Sequence, residues 1–112
     1  MGTRPAKWWV YILRCDGYFL YTGVTTSVDR RLEEHRGVRP GGARFTRTRG
    51  RIELAYCLEV GDRSLACRIE YRIKKLSREH KERIIAESMT LTGLLSTLSL
   101  LTEPHTSIPS CK

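Results

Sequence analysis

The sequence lacks any apolar run long enough to cross a membrane. Its longest apolar stretch, near residues 91–101, is interrupted by threonine, serine and glycine, whereas a membrane-spanning helix needs about 20 consecutive, mostly apolar residues. The first seven residues lead directly into a predicted strand, without the apolar segment and cleavage site of a secretory signal. We therefore expect a cytoplasmic location and no membrane partner.

Signatures of several enzyme classes are also missing. The four cysteines form no CxxC pair and have no histidines at metal-ligand spacing, which disfavours a zinc site and favours a reduced chain. There is no glycine-rich phosphate-binding motif, and no order of Ser, His and Asp suggests a catalytic triad. With one usable carboxylate, acid–base chemistry by paired carboxylates is disfavoured as well.

Positive charge, in contrast, is abundant. The 112 residues include 20 Lys and Arg against 12 Asp and Glu, a net charge of +8, which favours an anionic partner such as nucleic acid. Between residues 30 and 51 every basic residue is an arginine, whose planar guanidinium binds phosphate oxygens through two parallel hydrogen bonds. The predicted nucleic-acid-binding residues are Arg30, Arg36, Arg39, Arg44, Arg47, Arg49, Lys74 and Lys75.

Much of this arginine-rich segment is rich in glycine too. Residues 37–50 contain four glycines and a proline among the arginines, a composition typical of loops. The composition predicts a mobile basic loop, with one helical turn around residues 43–48, that grips a phosphate backbone. The alternative is a disordered surface loop.

Two apolar segments near the N-terminus predict a β-hairpin. Residues 9–13 and 19–24 are rich in strand-forming residues, and Cys15 to Gly17 lie between them as a turn. If Gly17 closes a three-residue loop, Tyr11 lies directly opposite Tyr21, and the two phenols share one face of the sheet. A register shifted by one residue would place them on opposite faces.

A short helix is predicted after this hairpin. Thr26 is a suitable N-cap, and Val28, Leu32 and His35 follow at the spacing of one helical face. Arg31 lies three residues after Val28 and four before His35, so that its side chain borders the apolar face. An arginine and a histidine at this position are unusual for a helix that only packs, and they are candidates for a functional site.

The second half of the domain reads as a strand and two helices. Residues 51–60 alternate regularly, which predicts a half-buried strand with its apolar residues, 52, 54, 56, 58 and 60, facing inward. Asp62 and Ser77 are suitable N-caps for the two helices that follow. In the first of these helices Glu70 leans toward the apolar face, where a carboxylate must be paired or must bind a cation. The residues alone do not decide between two alternatives for Glu70, a salt bridge to an arginine and a metal site.

Together these patterns predict an α+β fold, a small three-stranded antiparallel sheet flanked by helices in the order β-β-α-β-α-α. We expect one domain over residues 1–87. Residues 88–112 form a tail rich in Ser, Thr and Leu with little charge, which either forms a weak amphipathic helix or remains unfolded.

Five positions in this frame carry a resemblance to a known family. The tripeptides Trp9-Val10-Tyr11 and Tyr21-Thr22-Gly23, followed by Arg31, His35 and Glu70, resemble the motifs of the GIY-YIG nuclease superfamily. The resemblance covers roughly residues 8–86, and it is strongest to the small single-domain bacterial YhbQ-like group. It implies the same three-stranded sheet flanked by helices.

The resemblance also implies a reaction, metal-dependent hydrolysis of phosphodiester bonds, and a role for each residue. Tyr11 and Tyr21 correspond to the motif tyrosines, one of which helps to deprotonate the attacking water. Arg31 corresponds to the arginine that holds the scissile phosphate, and His35 to a histidine that assists the general base. Glu70 corresponds to the carboxylate that binds the divalent cation, Mg²⁺ or Mn²⁺.

The chain departs from the family pattern in three respects. Both tripeptides keep the tyrosine but differ from Gly-Ile-Tyr and Tyr-Ile-Gly at other positions. Many family nucleases carry an asparagine after the metal-binding glutamate, and this sequence contains no asparagine. No second DNA-binding domain is visible, so we expect binding dominated by phosphate contacts and strongly dependent on salt.

The expected function is therefore a metal-dependent endonuclease that hydrolyses DNA, with structure-selective cleavage in repair or recombination as a compatible role. DNA is favoured over RNA as the substrate, and no obligate protein partner is indicated. The alternative is a nucleic-acid-binding module that has kept the fold and lost turnover.

Overall fold

The computed structural model describes residues 6–37 and 50–100. Within these ranges the chain forms three strands and four helices. Their bounds are β1 Trp8–Cys15, β2 Phe19–Thr25, α1 Val28–His35, β3 Ile52–Gly61, α2 Arg63–Lys74, α3 Arg78–Glu87 and α4 Leu91–Thr97. The strands form one antiparallel sheet in the order β2-β1-β3. The predicted α+β fold is confirmed.

The central strand β1 is buried on both faces. On one face Val10 and Ile12 belong to the main core, which α2, α3 and α4 complete with residues such as Ile69, Ile84 and Leu94. On the other face Tyr11, Leu13 and Cys15 form a smaller cluster with Ile52, and Tyr21 and Leu32 pack against it. This second face, which we call the tyrosine face, carries the candidate site.

The register of the hairpin differs from the prediction by two residues. Tyr11 lies opposite Gly23, and Tyr21 lies opposite Leu13. The loop comprises residues 16–18, one position later than expected, because Cys15 remains in β1 as a fully buried residue. Asp16 and Gly17 both take positive φ values, 54° and 71°, which a tight hairpin turn requires. A shift of two residues keeps both tyrosines on the same face.

The start of α1 also differs from the prediction. The N-cap is Ser27, whose hydroxyl accepts a hydrogen bond from the backbone N–H of Arg30. Thr26 is not the cap because β2 continues past Gly23 to Thr25, which pairs with Trp9. The predicted N-cap of α2 is confirmed, since the side chain of Asp62 accepts a hydrogen bond from the backbone N–H of Leu65 at 2.8 Å. Ser77 caps α3 as expected.

A β-bulge divides the apolar face predicted for β3. Ile12 pairs with Tyr56 but Leu13 pairs with Leu54, so that β3 contains one extra residue at Ala55. Tyr56 consequently faces the main core, whereas Ile52 is buried on the tyrosine face. The prediction that all five alternating residues point inward is wrong at Leu54, which is 39% exposed.

The described part of the predicted tail is helical and packed. Leu94 and Leu98 are buried in the main core, and the hydroxyl of Tyr56 donates to the carbonyl of Met89 at 2.6 Å. Cys57 is exposed and has a free thiol. Among the helices of residues 6–37 and 50–100, none has the length and apolar character required to cross a membrane.

Candidate active site

The two tyrosines of the predicted motif lie side by side with His35. The ring centroids of Tyr11 and Tyr21 are 6.4 Å apart, and the His35 ring is 5.8 Å from the first and 5.0 Å from the second. Tyr11 and His35 are 2% and 1% exposed. Three rings that are distant in sequence therefore meet on the tyrosine face, with β1, β2 and α1 contributing one each.

Gly23 provides the space that Tyr11 occupies. A Cβ atom added at this glycine would lie 2.4 Å from the phenol oxygen of Tyr11 and 2.6 Å from its Cζ atom. Any side chain at this position must therefore displace the phenol ring or the strand. Glycine is therefore required in the second tripeptide for a steric reason, which the sequence pattern does not reveal.

We expect Gly23→Ala to lower the free energy of unfolding by about 1–3 kcal/mol, the usual cost of overpacking a core. Chemical denaturation monitored by circular dichroism measures this change. Gly93→Ala is the matched control, because a Cβ there meets nothing closer than 3.5 Å and alanine is the better helix former. Equal effects of both substitutions would contradict the steric explanation.

A hydrogen bond of 2.9 Å joins the Tyr11 hydroxyl to His35 Nε2. Burial, with a further contribution from the positive charge of Arg31, lowers the pKa of His35 to about 4, so the imidazole is neutral at pH 7. Burial also raises the pKa of Tyr11 to about 12, so the phenol keeps its proton. The neutral imidazole is therefore placed to accept a hydrogen bond from the phenol O–H.

Arg31 also interacts with Tyr11. Burial lowers the pKa of this guanidinium, but hydrogen bonds to Glu34 and Tyr11 outweigh burial and raise it above its ordinary value. Its Nη1 atom is 2.7 Å from Glu34 Oε1, and this hydrogen bond holds the pKa of Glu34 below its usual range. Glu34 thus orients Arg31, a contact that only the i, i+3 spacing on the helix indicates in the sequence.

Glu70 approaches the same tyrosine from α2. Its side chain is 21% exposed, and its Oε2 atom lies 3.3 Å from Lys74 Nζ. The ion pair anticipated for this carboxylate is therefore made with a lysine one turn along the helix, not with an arginine. Its negative charge raises the pKa of Tyr11, which shows that the carboxylate and the phenol lie within electrostatic reach of each other.

The carboxylate of Glu70 is the kind of oxygen ligand that a hard divalent cation binds. No three His, Cys, Asp or Glu side chains in the described parts of the chain come together as a metal cluster. Mg²⁺ keeps several of its waters and is often held by one or two carboxylates and substrate phosphate. Glu70, a half-buried carboxylate, would leave the remaining positions around such an ion to water and to substrate phosphate.

The predicted nucleic-acid-binding residues are only partly described. Arg30 is exposed and pairs with Glu34 at 3.6 Å. Arg36 donates from Nε and Nη2 to the carbonyl of Ile52 at 3.1 and 2.8 Å, which fixes the end of α1 to β3. Lys74 pairs with Glu70, and Lys75 lies over the ring of Tyr71 at 5.0 Å. The remaining four, Arg39, Arg44, Arg47 and Arg49, lie outside the described residues, as does most of the predicted loop.

Comparison with known proteins identifies the family. The model of the GIY-YIG catalytic domain matches residues 7–83. The chain belongs to the GIY-YIG family. The UPF0213 protein YhbQ of Escherichia coli (strain E24377A) is 46% identical over 91 residues, which cover 81% of this chain and 89% of that protein. YhbQ of Salmonella arizonae has the same identity over the same length.

A solved structure resembles this GIY-YIG protein as well. The solution NMR structure of the UPF0213 protein BH0048 from Bacillus halodurans is 36% identical in sequence, with a TM-score of 0.49, and the match covers 83% of this chain and 97% of that one. Membership of the GIY-YIG family places the chain in a nuclease superfamily, whose members act on nucleic acid and generally use divalent metals.

The buried histidine predicts a pH dependence of the stability of this GIY-YIG domain. The pKa of His35 is about 4 in the folded protein and about 6.5 in an unfolded chain, so between these values the unfolded state binds more protons. The folded state therefore loses stability, on the order of 2 kcal/mol, as the pH falls from 6.5 to 4. Urea denaturation at pH 7 and at pH 4.5 measures this loss, which should be smaller in His35→Gln. An identical loss in that variant would assign the effect to other groups.

Proposed function

We propose that the protein is a metal-dependent endonuclease that hydrolyses DNA phosphodiester bonds. The proposal is carried by one observation, the connected set in which the hydroxyl of Tyr11 hydrogen-bonds to His35 Nε2 at 2.9 Å and interacts with the guanidinium of Arg31. A cation, a phenol and a neutral imidazole in this order can bind a phosphate and move a proton beside it. Packing alone does not require such a set on a sheet face.

Arg31 can bind the scissile phosphate. Its planar guanidinium donates two parallel hydrogen bonds to non-bridging oxygens and offsets the negative charge that develops there during hydrolysis. Glu34 already fixes one edge of the guanidinium at 2.7 Å, so that little side-chain freedom is lost when the phosphate binds.

Tyr11 and His35 can remove the proton from the attacking water. In this scheme the phenol oxygen takes a proton from the water while its own proton passes to Nε2 of neutral His35. Arg31 lowers the pKa of Tyr11 and so stabilises the negative charge that the phenol oxygen gains during this transfer. Tyr21, with its ring 5.0 Å from His35, completes the wall of the site.

Glu70 would hold the divalent ion, Mg²⁺ or Mn²⁺. Such an ion supplies positive charge to the phosphate and the leaving oxygen. Lys74 Nζ lies 3.3 Å from Glu70 Oε2, so this lysine would have to move away for the carboxylate to hold an ion through that oxygen. We further propose that DNA is the preferred substrate and that the protein acts at branched or damaged sites. We propose a cytoplasmic location as well.

A cleavage assay tests the proposal directly. Labelled linear, flapped and four-way-junction DNA are incubated with the protein at low salt, with Mg²⁺, with Mn²⁺ or with EDTA. The expected result is nicking that requires the metal and differs among the three DNAs. Binding without nicking under all of these conditions would instead favour a nucleic-acid-binding module without turnover, for which the absence of asparagine from the chain is the first explanation to test.

A further inference from the structure

The tip of the β1–β2 hairpin exposes two neighbouring aromatic rings. Tyr18 is 57% exposed and Phe19 is 37% exposed. Their ring centroids are 5.3 Å apart with perpendicular planes. A hairpin tip needs only small polar residues to turn, so this large aromatic surface has no structural requirement at the turn.

A network of charges holds this tip in place. The guanidinium of Arg78, at the start of α3, lies 3.7 Å from the centroid of the Tyr18 ring, and it donates a hydrogen bond to the Tyr18 carbonyl. Glu82 accepts from Arg78 at 2.9 Å and binds Arg14 of β1 through two hydrogen bonds of 2.8 Å. The rings are thus presented on a fixed surface, which we call the aromatic platform (Tyr18, Phe19 and Arg78).

One ring of the aromatic platform, Phe19, lies on the tyrosine face, which carries the candidate active site. Phe19 and Tyr21 are two residues apart in β2 and therefore lie on the same face, about 7 Å from each other along the strand. Phe19 pairs with Cys15, which is part of the tyrosine face. A nucleic-acid strand that places a phosphate at Arg31 can consequently bring a neighbouring nucleotide over the tip.

We propose that the aromatic platform binds an unpaired base of the substrate strand, next to the phosphate that is cleaved. Aromatic side chains beside cationic groups are the usual surface for single-stranded nucleic acid, because every base has a π-face that can stack on them. A base inside a duplex has both faces covered by its neighbours. The platform therefore selects DNA that has a single-stranded segment, and this selection rests on the function proposed above.

Charge favours nucleic acid over a protein as the occupant. Arg78 belongs to the platform itself, and Lys74 and its C-cap neighbour Lys75, at the end of α2, precede it by four and three residues. The chain as a whole carries a net charge of +8. A phosphate backbone complements this surface, and its exposed bases complement the rings.

The test measures binding without cleavage. Fluorescence anisotropy in EDTA gives the Kd for a labelled single-stranded oligonucleotide and for the duplex of the same sequence. We expect Tyr18→Ala to weaken single-strand binding about ten-fold, the typical loss for one stacked base, and to leave duplex binding within about two-fold. Tyr18→Phe keeps the ring and should retain the affinity. Tyr71→Ala is the matched control, because Tyr71 is also exposed, at 41%, and also carries a cation over its ring.

A second measurement begins with the wild-type protein, so that its first result does not depend on how well a variant folds. Abasic sites are placed one at a time along the single-stranded oligonucleotide. One of them should weaken binding to the wild-type protein about ten-fold, and this loss should disappear in Tyr18→Ala, since coupled partners are not additive. The proposal is overturned if no single base matters to the wild type, or if Tyr18→Ala acts no more strongly than Tyr71→Ala. Cleavage is not involved, so a protein that passes this test but nicks no DNA would retain the platform and refute the nuclease.

Discussion

Glu70→Gln is expected to abolish metal-dependent DNA cleavage and to leave DNA binding nearly unchanged. Glutamine has the shape of glutamate without its charge, and a neutral amide is a poor ligand for Mg²⁺ at a site with one protein carboxylate. The loss of activity should exceed the roughly 100-fold loss that follows mutation of residues that only hydrogen-bond to a metal's ligands. Binding should persist because the phosphate contacts come from the basic residues, and loss of the carboxylate also frees Lys74 from its ion pair.

The cleavage assay with Mg²⁺ and an anisotropy assay with EDTA measure the two effects separately. Glu79→Gln is the matched control, since it removes the same charge from an exposed position on the neighbouring helix α3. If Glu70→Gln and Glu79→Gln retain equal activity, the metal is held elsewhere. If Glu70→Gln loses DNA binding together with cleavage, the carboxylate has a structural role.

Arg31→Ala is expected to damage both catalysis and phosphate binding. We expect kcat to fall by about 10²–10³, the range for removal of one preorganised donor to a developing negative charge. Affinity for DNA should fall as well, and the slope of log K against log salt concentration should decrease in magnitude by about one, because one phosphate contact is lost. Arg31→Lys should restore little activity, since a lysine cannot donate two parallel hydrogen bonds.

Cleavage kinetics and salt titrations of binding test this prediction. The control is Arg83→Ala, because Arg83 is 66% exposed and paired with Glu87 on α3, remote in the sequence from the proposed site residues. A normal salt slope in Arg31→Ala would show that Arg31 makes no phosphate contact in the ground state. Activity close to wild type would refute its place in the site.

The periodicity of the sequence determined the elements of the fold but not their exact pairing. Alternation in 51–60 and the apolar spacing of the helices reflect burial, which acts over whole segments, so strands and helices were found where expected. The hairpin register depends instead on whether the chain turns at Cys15 or one residue later, and Cys15 remains in the strand because it is buried on the tyrosine face. A tertiary contact of this kind has no local signal.

The residues of the candidate site were predictable, whereas their partners were not. The helical spacing placed His35 on the buried face of α1, and the structure buries it against Tyr11. The space above Gly23, however, exists only because β2 is aligned with Tyr11 in the observed register. The bulge at Ala55, which turns Ile52 to the tyrosine face, likewise arises from the pairing of two strands and not from the composition of one.

Because Tyr11 lies on the central strand and Arg31 and His35 lie on a short helix, the parts of the site differ in their resistance to local unfolding. Amide groups of β1 are hydrogen-bonded to strands on both sides, and in such a strand hydrogen exchange requires nearly complete unfolding. Arg31 and His35 belong to an eight-residue helix, an element short enough to open in a local fluctuation. Opening of α1 alone would remove the cation and the imidazole from a phenol that stays in place. The proton-transfer path that we propose for the site can thus be interrupted while the sheet remains intact.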